Sequence, residues 1–97
     1  MNTIIKYNNK LINYDEPTTI KDRLIISLEY WWLELDKKNS PIRELGFAKD
    51  HSVQIAAPFE EDEGMWCAQE IEFESTSDFE RIKAQDFDKK WDEFLSS

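Results

Sequence analysis

Apolar side chains near the C-terminus recur every three or four residues. Phe87, Trp91, Phe94 and Leu95 stand at i, i+4, i+7 and i+8, and charged residues fill most of the positions between them. This is the period of an amphipathic helix with one apolar face. The pattern predicts a C-terminal helix that begins within residues 84–86 and frays at the last two residues.

The first fourteen residues show a different pattern, typical of a β-hairpin. Residues 3–7 and 10–14 are both rich in β-prone side chains, and Asn8-Asn9 between them can form a turn. Pro17 ends the second segment, because proline has no N–H to donate to a strand ladder.

Residues 18–38 fit two structures. As a helix, Thr19 and Asp22 would form a capping box, and the large apolar residues would share one face. As a strand, apolar side chains alternate from Leu24 to Trp32. We prefer the strand, because a turn-forming cluster at 36–41 follows it.

Three more β-prone segments follow the turn cluster, at residues 42–47, 53–57 and 65–73, with turn-forming residues between them. Strands at this spacing indicate an antiparallel meander. The sequence therefore predicts a single α+β domain, mainly β, over residues 1–97. It would be an antiparallel sheet or sandwich with the C-terminal helix packed against it.

Three consecutive aromatic residues, Tyr30, Trp31 and Trp32, lie in the ambiguous segment. Neighbouring side chains on a strand point to opposite faces. At least one of these rings should therefore lie on the other face of the sheet from its neighbour, either under the C-terminal helix or exposed to a partner.

Composition agrees with one folded domain. The chain has 97 residues, of which 13% are aromatic, including four Trp, and large rings dominate core packing. No apolar run approaches the ~20 residues of a transmembrane helix, and the N-terminus lacks the features of a secretory signal. We expect a cytoplasmic protein with no membrane partner.

Catalytic and metal-binding chemistry has few candidates. Cys67 and His51 are the sole residues of their types, so no disulfide or zinc site is expected, and Cys67 should pack as a small apolar side chain. His51 lies between Asp50 and Ser52 in a turn, where three adjacent residues cannot converge as a catalytic triad. We expect no cofactor and no enzymatic activity.

The most unusual feature of the sequence is the amount and the distribution of its negative charge. The net charge is −9, which argues against direct nucleic-acid binding and favours a basic protein partner. Residues 50–80 contain ten Asp or Glu and no Lys or Arg, whereas the flanking segments are close to neutral. The central stretch is therefore the candidate binding surface.

Two groups of carboxylates in that stretch each have two interpretations. The run Glu60-Glu61-Asp62-Glu63 is either a solvated turn or part of a partner surface, and it lacks the alternating ligands of a calcium loop. The row Glu70, Glu72 and Glu74 would project from one face of a strand. It either protects a sheet edge from aggregation or faces a basic partner, and the nearby run favours the second. The predicted partner-binding residues are Glu60, Glu61, Asp62, Glu63, Glu70, Glu72 and Glu74.

The order of segments from Tyr30 to Phe73 forms a characteristic series, which continues in the C-terminal helix. The series consists of Trp31-Trp32-Leu33-Glu34-Leu35-Asp36 with a polar turn after it, Ile42-Arg43-Glu44-Leu45-Gly46-Phe47, Ala56-Ala57-Pro58-Phe59, Gly64-Met65-Trp66-Cys67 and Phe87-Asp88-Lys89-Lys90-Trp91. In order and spacing these segments resemble the immunity proteins of contact-dependent growth inhibition systems, and the resemblance covers somewhat over half of the chain.

The resemblance implies a cytoplasmic protein that binds and neutralises a toxin domain delivered by a neighbouring cell. Many such toxins are nucleases with basic active sites, which an acidic inhibitor can occlude. The alternative is an acidic nucleic-acid mimic of phage origin, of the anti-restriction or anti-CRISPR type, which would present carboxylates spaced like phosphates over a long face.

Overall fold

An antiparallel sheet is the centre of the computed structural model, which describes residues 2–12, 14–57 and 77–96. In these ranges the chain forms four strands, in the spatial order β1-β2-β3-β4, and two α-helices. The elements are β1 (Thr3–Asn8), a 3₁₀ turn (Asn9–Leu11), α1 (Ile20–Ser27), β2 (Tyr30–Leu35), β3 (Pro41–Phe47), β4 (Val53–Ala57) and α2 (Ala84–Leu95). The predicted α+β class, mainly β with a C-terminal helix on the sheet, is confirmed. The described strands form one sheet and not the two of a sandwich.

The predicted N-terminal hairpin is wrong. β1 pairs with β2, with Thr3 opposite Leu35 and Asn8 opposite Tyr30, and the chain enters the 3₁₀ turn directly after β1. The side chain of Asn8 accepts a hydrogen bond from the Lys10 N–H at 2.9 Å, which caps this turn. Residues 10–12 therefore do not return beside β1 as a second strand.

The segment 18–38 contains both of the structures that its pattern allows. The preference for a strand is wrong for 20–27, which form α1, and correct for 30–35, which form β2. Thr19 and Asp22 form the capping box: the Asp22 N–H donates to Thr19 Oγ1 at 3.0 Å, and the Thr19 N–H donates to Asp22 Oδ2 at 3.2 Å. Leu28 then adopts extended backbone angles and ends the helix.

The meander from β2 to β4 follows the predicted strands and turns. Antiparallel pairing joins β2 to β3 and β3 to β4, so the strands predicted at 42–47 and 53–57 are confirmed. Asn39 and His51 lie in the connecting turns with φ angles of 61° and 70°, in the left-handed region that Asn and His tolerate better than most residues. The strand predicted at 65–73 lies outside the described residues.

Both faces of the sheet are covered by buried side chains. On one face Trp31 and Leu33 pack with Ile25 and Leu28 from the end of α1. On the other face Tyr30, Leu45 and Phe47 belong to a cluster that includes Phe87 of α2. The three consecutive aromatic residues divide as predicted, because Trp31 lies on the α1 face, and Tyr30 and Trp32 lie on the α2 face.

The predicted apolar face of α2 is largely confirmed. Phe87 is fully buried, and Trp91 and Phe94 are half-buried against the sheet. Leu95, the last residue of the helix, is 37% exposed, so its assignment to the buried face is wrong.

An arginine of β3 holds α2 against the sheet. The guanidinium of Arg43 lies 4.7 Å from the ring centre of Phe87 and 5.0 Å from that of Trp91. It also forms ion pairs with Glu34 of β2 and, at 2.9 Å, with Asp88 of α2. Burial alone would lower the pKa of Arg43, but the hydrogen bonds to the two carboxylates outweigh it and raise the pKa.

Asn9 connects β1, α1 and β2 from a buried position. Its Nδ2 group donates to the carbonyl oxygens of Ile25 at 2.8 Å and Leu28 at 2.7 Å, and more weakly to Ile26 at 3.2 Å. Its Oδ1 accepts from the Tyr14 hydroxyl at 2.6 Å and from Trp31 Nε1 at 2.7 Å. The end of α1 is therefore satisfied by a side chain from a distant part of the sequence.

The outer edge of β1 is covered by the segment that precedes α2. The Lys6 N–H donates to the Glu80 carbonyl and the Ile82 N–H donates to the Ile4 carbonyl, each at 2.9 Å. Ile5 and Arg81 form an antiparallel bridge between these bonds. This edge of the sheet is thus protected from pairing with another chain.

Candidate interaction surface

The seven predicted partner-binding carboxylates lie outside the described residues. They are Glu60, Glu61, Asp62, Glu63, Glu70, Glu72 and Glu74. Residues 58–76 contain these seven acidic residues and no Lys or Arg, so they carry −7 of the net charge of −9. The remaining residues carry a net charge of only −2. Among the described residues, a candidate surface for a basic partner must therefore be a place where several carboxylates lie close together.

One such place is a groove beside β1, the Tyr30 groove, with a volume of about 340 Å³. Leu11, Tyr30 and Phe79 supply apolar surface to it. Its carboxylates are Glu29, Asp78 and Glu80, and its basic residue is Lys6. The lining thus carries about the same net negative charge as all of the described residues together.

Backbone hydrogen bonds fix the positions of these walls. The Glu29 N–H donates to the Phe47 carbonyl at 2.8 Å, and the Glu29 carbonyl accepts from the Asn9 N–H at 3.1 Å. Glu80 is held to β1 through its carbonyl, which accepts from the Lys6 N–H. Carboxylates from two distant parts of the chain are therefore held beside the same strand.

The carboxylate side chains of the Tyr30 groove have no close cationic partner within the described part of the chain. Among the described residues, the side chains of Glu29, Asp78 and Glu80 form no ion pair and no hydrogen bond. The Lys6 ammonium instead lies 4.4 Å from the centre of the Tyr30 ring. A cation–π contact of this kind stabilises the lysine and leaves the carboxylates available.

Tyr30 is a neutral phenol at the base of this groove. Burial, and secondarily the negative charge of Glu80, raise its pKa above the usual value of 10.0. Its ring stacks on Phe47 with the centres 4.7 Å apart, and its hydroxyl forms a 2.9 Å hydrogen bond with His51 Nδ1. The ring is therefore held rigidly from below.

A second groove, of about 420 Å³, lies between α1 and the chain that precedes it. Asp15, Glu16 and Asp22 are its acidic residues. Hydrogen bonds from the backbone and hydroxyl of Thr18 lower the pKa of Asp22, because this carboxylate caps the helix. The larger groove thus has a carboxylate with a structural role, and the Tyr30 groove is the better candidate for binding.

The residues around His51 close a turn. Ser52 Oγ donates to Asp50 Oδ1 at 2.6 Å, and hydrogen bonds from Ser52 lower the pKa of Asp50. His51 contacts Tyr30 and does not lie between the serine and the carboxylate.

Across 2–12, 14–57 and 77–96, no group of three or more His, Cys, Asp or Glu side chains is placed to hold a metal ion. Neither α1 nor α2 is long and apolar enough to cross a membrane.

Comparison with known proteins adds no assignment. The chain matches no protein-family model, and searches of curated proteins and of solved structures found no match.

Sequence reasoning found part of the Tyr30 groove. Asp78 and Glu80 belong to the acidic stretch 50–80, whereas the sequence pattern does not indicate Glu29 or Leu11. They reach the same groove because β1 pairs with β2 on one side and with residues 80–82 on the other. The predicted N-terminal hairpin is incompatible with these two neighbours of β1, so it gives no indication of the groove.

Proposed function

We propose that this chain is an immunity protein, which binds a basic toxin domain of the nuclease class and blocks its active site with an acidic surface. The observation that carries the proposal is the separation of charge: residues 58–76 hold seven acidic and no basic residues, whereas the rest of the chain is close to neutral. The resemblance of segment order to contact-dependent growth inhibition immunity proteins points to the same class.

The mechanism is steric occlusion assisted by electrostatic attraction. A nuclease active site presents basic residues to phosphates, and a surface of carboxylates can occupy the same positions. Complementary charge accelerates encounter, and the acceleration decreases as salt increases. No covalent step is required of the inhibitor.

The described fold supports this function by providing stable flanks for the acidic stretch. Before it, β4 pairs with β3 and ends at the buried Ala57. After it, residues 80–82 pair with β1. Substitutions within the stretch can therefore be tested for binding while circular dichroism and Trp fluorescence check that the sheet remains folded.

The experiment measures binding to the product of the adjacent gene by titration calorimetry and surface plasmon resonance. One variant replaces Glu60, Glu61, Asp62 and Glu63 with Ser, and a second replaces Glu70, Glu72 and Glu74 with Gln. Each should weaken binding by up to about 1 kcal/mol for every carboxylate that faces the partner, mainly through slower association at low salt.

A matched control removes three carboxylates from the exposed side of α2, with Asp86→Asn, Asp92→Asn and Glu93→Gln. It should bind like the wild type if the acidic stretch is the interface. Equal weakening by the control and the two test variants would show a general charge effect. Failure of the adjacent gene product to bind, together with binding to a host restriction or CRISPR complex, would favour the nucleic-acid mimic.

A further inference from the structure

We propose that the Tyr30 groove binds a lysine or arginine side chain of the partner, with the aliphatic part of that side chain against Leu11 and Phe79 and the charged end among the carboxylates. The identity of the partner as a basic toxin rests on the proposed function, but the chemistry of the groove does not depend on it.

The apolar part of the groove is accessible. Leu11 is 61% exposed, although it lies on a 3₁₀ turn held by the Asn8 cap and the buried Asn9. A leucine on an ordered turn presents apolar surface without requiring the backbone to be ordered on binding. The methylene groups of lysine and arginine commonly lie along such surfaces while their charged ends remain near polar groups.

The charge of the groove selects a cation. Glu29, Asp78 and Glu80 outnumber Lys6, and none of the three has a neutralising partner among the described residues. A second cation would therefore find unpaired carboxylates, whereas an acidic or purely apolar side chain would leave them unpaired. This difference between a cationic side chain and an acidic or apolar one gives specificity as well as affinity.

The chain itself shows that the groove accepts an ammonium group. Lys6 Nζ lies over the face of Tyr30, 4.4 Å from the ring centre, and not in an ion pair with the three carboxylates. The ring face is thus the site of the resident cation, and the carboxylates remain for an incoming one. A volume of about 340 Å³ is within the range of ~300–1,000 Å³ that is usual for ligand pockets.

The first test uses the peptide acetyl-Leu-Lys-Leu-amide as a probe, with acetyl-Leu-norleucine-Leu-amide as its uncharged match. Two-dimensional NMR of the ¹⁵N-labelled full chain should show shifts at the amides of residues 6–11, 29–30 and 78–80 with the lysine peptide and much smaller shifts with norleucine. Equal shifts with both peptides, or shifts confined to other residues, would overturn the inference.

Two variants test the two parts of the groove. The triple variant Glu29→Gln, Asp78→Asn and Glu80→Gln should abolish the difference between the two peptides, and Leu11→Ser should weaken binding of both. The α2 control variant with three neutralised carboxylates should behave as wild type. An unchanged response of the triple variant would refute the role of the carboxylates.

The toxin distinguishes this inference from the proposed function. If the adjacent gene product is the partner, the triple groove variant should raise its Kd at least about fivefold, the size expected for one lost rim charge pair. Tight toxin binding that is unchanged by the triple variant would refute the groove while leaving the proposed function intact. Binding of the lysine peptide without binding of the toxin would support the groove and count against the proposed function.

Discussion

Asn9→Asp is expected to destabilise the fold strongly although it changes a single amide group to a carboxyl. The side chain keeps its size, and the oxygen that accepts from Tyr14 and Trp31 is retained. The donor group is lost, however, and a carboxylate oxygen is brought within 3 Å of the carbonyl oxygens of Ile25 and Leu28, where Nδ2 stands in the wild type. The Leu28 carbonyl then loses the Asn9 donor, and the Ile25 carbonyl keeps only its 3.3 Å bond from the Leu28 N–H.

The magnitude follows from those two contacts. Leaving a buried polar group unsatisfied costs about 1–3 kcal/mol. This cost applies in full to the Leu28 carbonyl and in part to the Ile25 carbonyl, which keeps the Leu28 N–H, so the total should be about 2–4 kcal/mol. The third bond, to the Ile26 carbonyl at 3.2 Å, is longer and that residue is partly exposed, so it should add little. A domain of this size has a total stability of ~5–15 kcal/mol, so the variant should lose a large share of its stability.

Urea denaturation at neutral pH, followed by Trp fluorescence and circular dichroism, measures the change. The matched control is Asn8→Asp, because the exposed Asn8 side chain acts as an acceptor toward the Lys10 N–H, a role that a carboxylate also fills. The control should lie within about 0.5 kcal/mol of wild type. Equal stabilities for the two variants would refute the role assigned to the Asn9 amide.

Three further predictions concern α2, α1 and metal dependence. Phe87→Ala should cost about 3–5 kcal/mol, and Trp91→Ala less, because Phe87 is fully buried and Trp91 half-exposed; the reverse order in thermal melts would contradict the described packing of α2. The lowered pKa of Asp22 in the folded state means that its contribution to stability is complete above its usual value of 3.8 and is lost as the pH falls below it, so wild type should lose more stability than Asp22→Asn between pH 5 and about pH 2.5. The melting temperature should be the same with and without a chelator, because the sequence contains no ligand set around Cys67; a fall of many degrees on adding chelator would contradict this.

The fold class was predictable because its strongest signals are local. The apolar period of α2, and the turn clusters that separate β2, β3 and β4, each lie within a few residues of one another. Asn39 and His51 carry turns that the sequence already indicated. These elements needed no information about distant contacts.

The structure of the N-terminal part was not predictable in the same way, because it depends on contacts between Asn9 and residues that are distant in sequence. The Asn8-Asn9 pair suits a two-residue hairpin turn. The Asn9 side chain instead donates to carbonyl groups at the end of α1 and accepts from the indole N–H of Trp31. No local pattern reports such contacts. The same limitation applies to the Tyr30 groove, whose carboxylates at Glu29 and Glu80 meet only after β1 has its two neighbours.

The bridge between Ile5 and Arg81 has a consequence for the order of events during protein synthesis. β1 leaves the ribosome well before one of its two neighbours, the segment 80–82. Pairing between segments so far apart in sequence carries a large loop-closure cost and slows folding. The meander of β2, β3 and β4 can form earlier, from contacts that are close in sequence. We therefore expect a nascent chain stalled before residue 80 to lack this pairing on the edge of β1, and the groove beside it to form only after residues 78–82 have emerged.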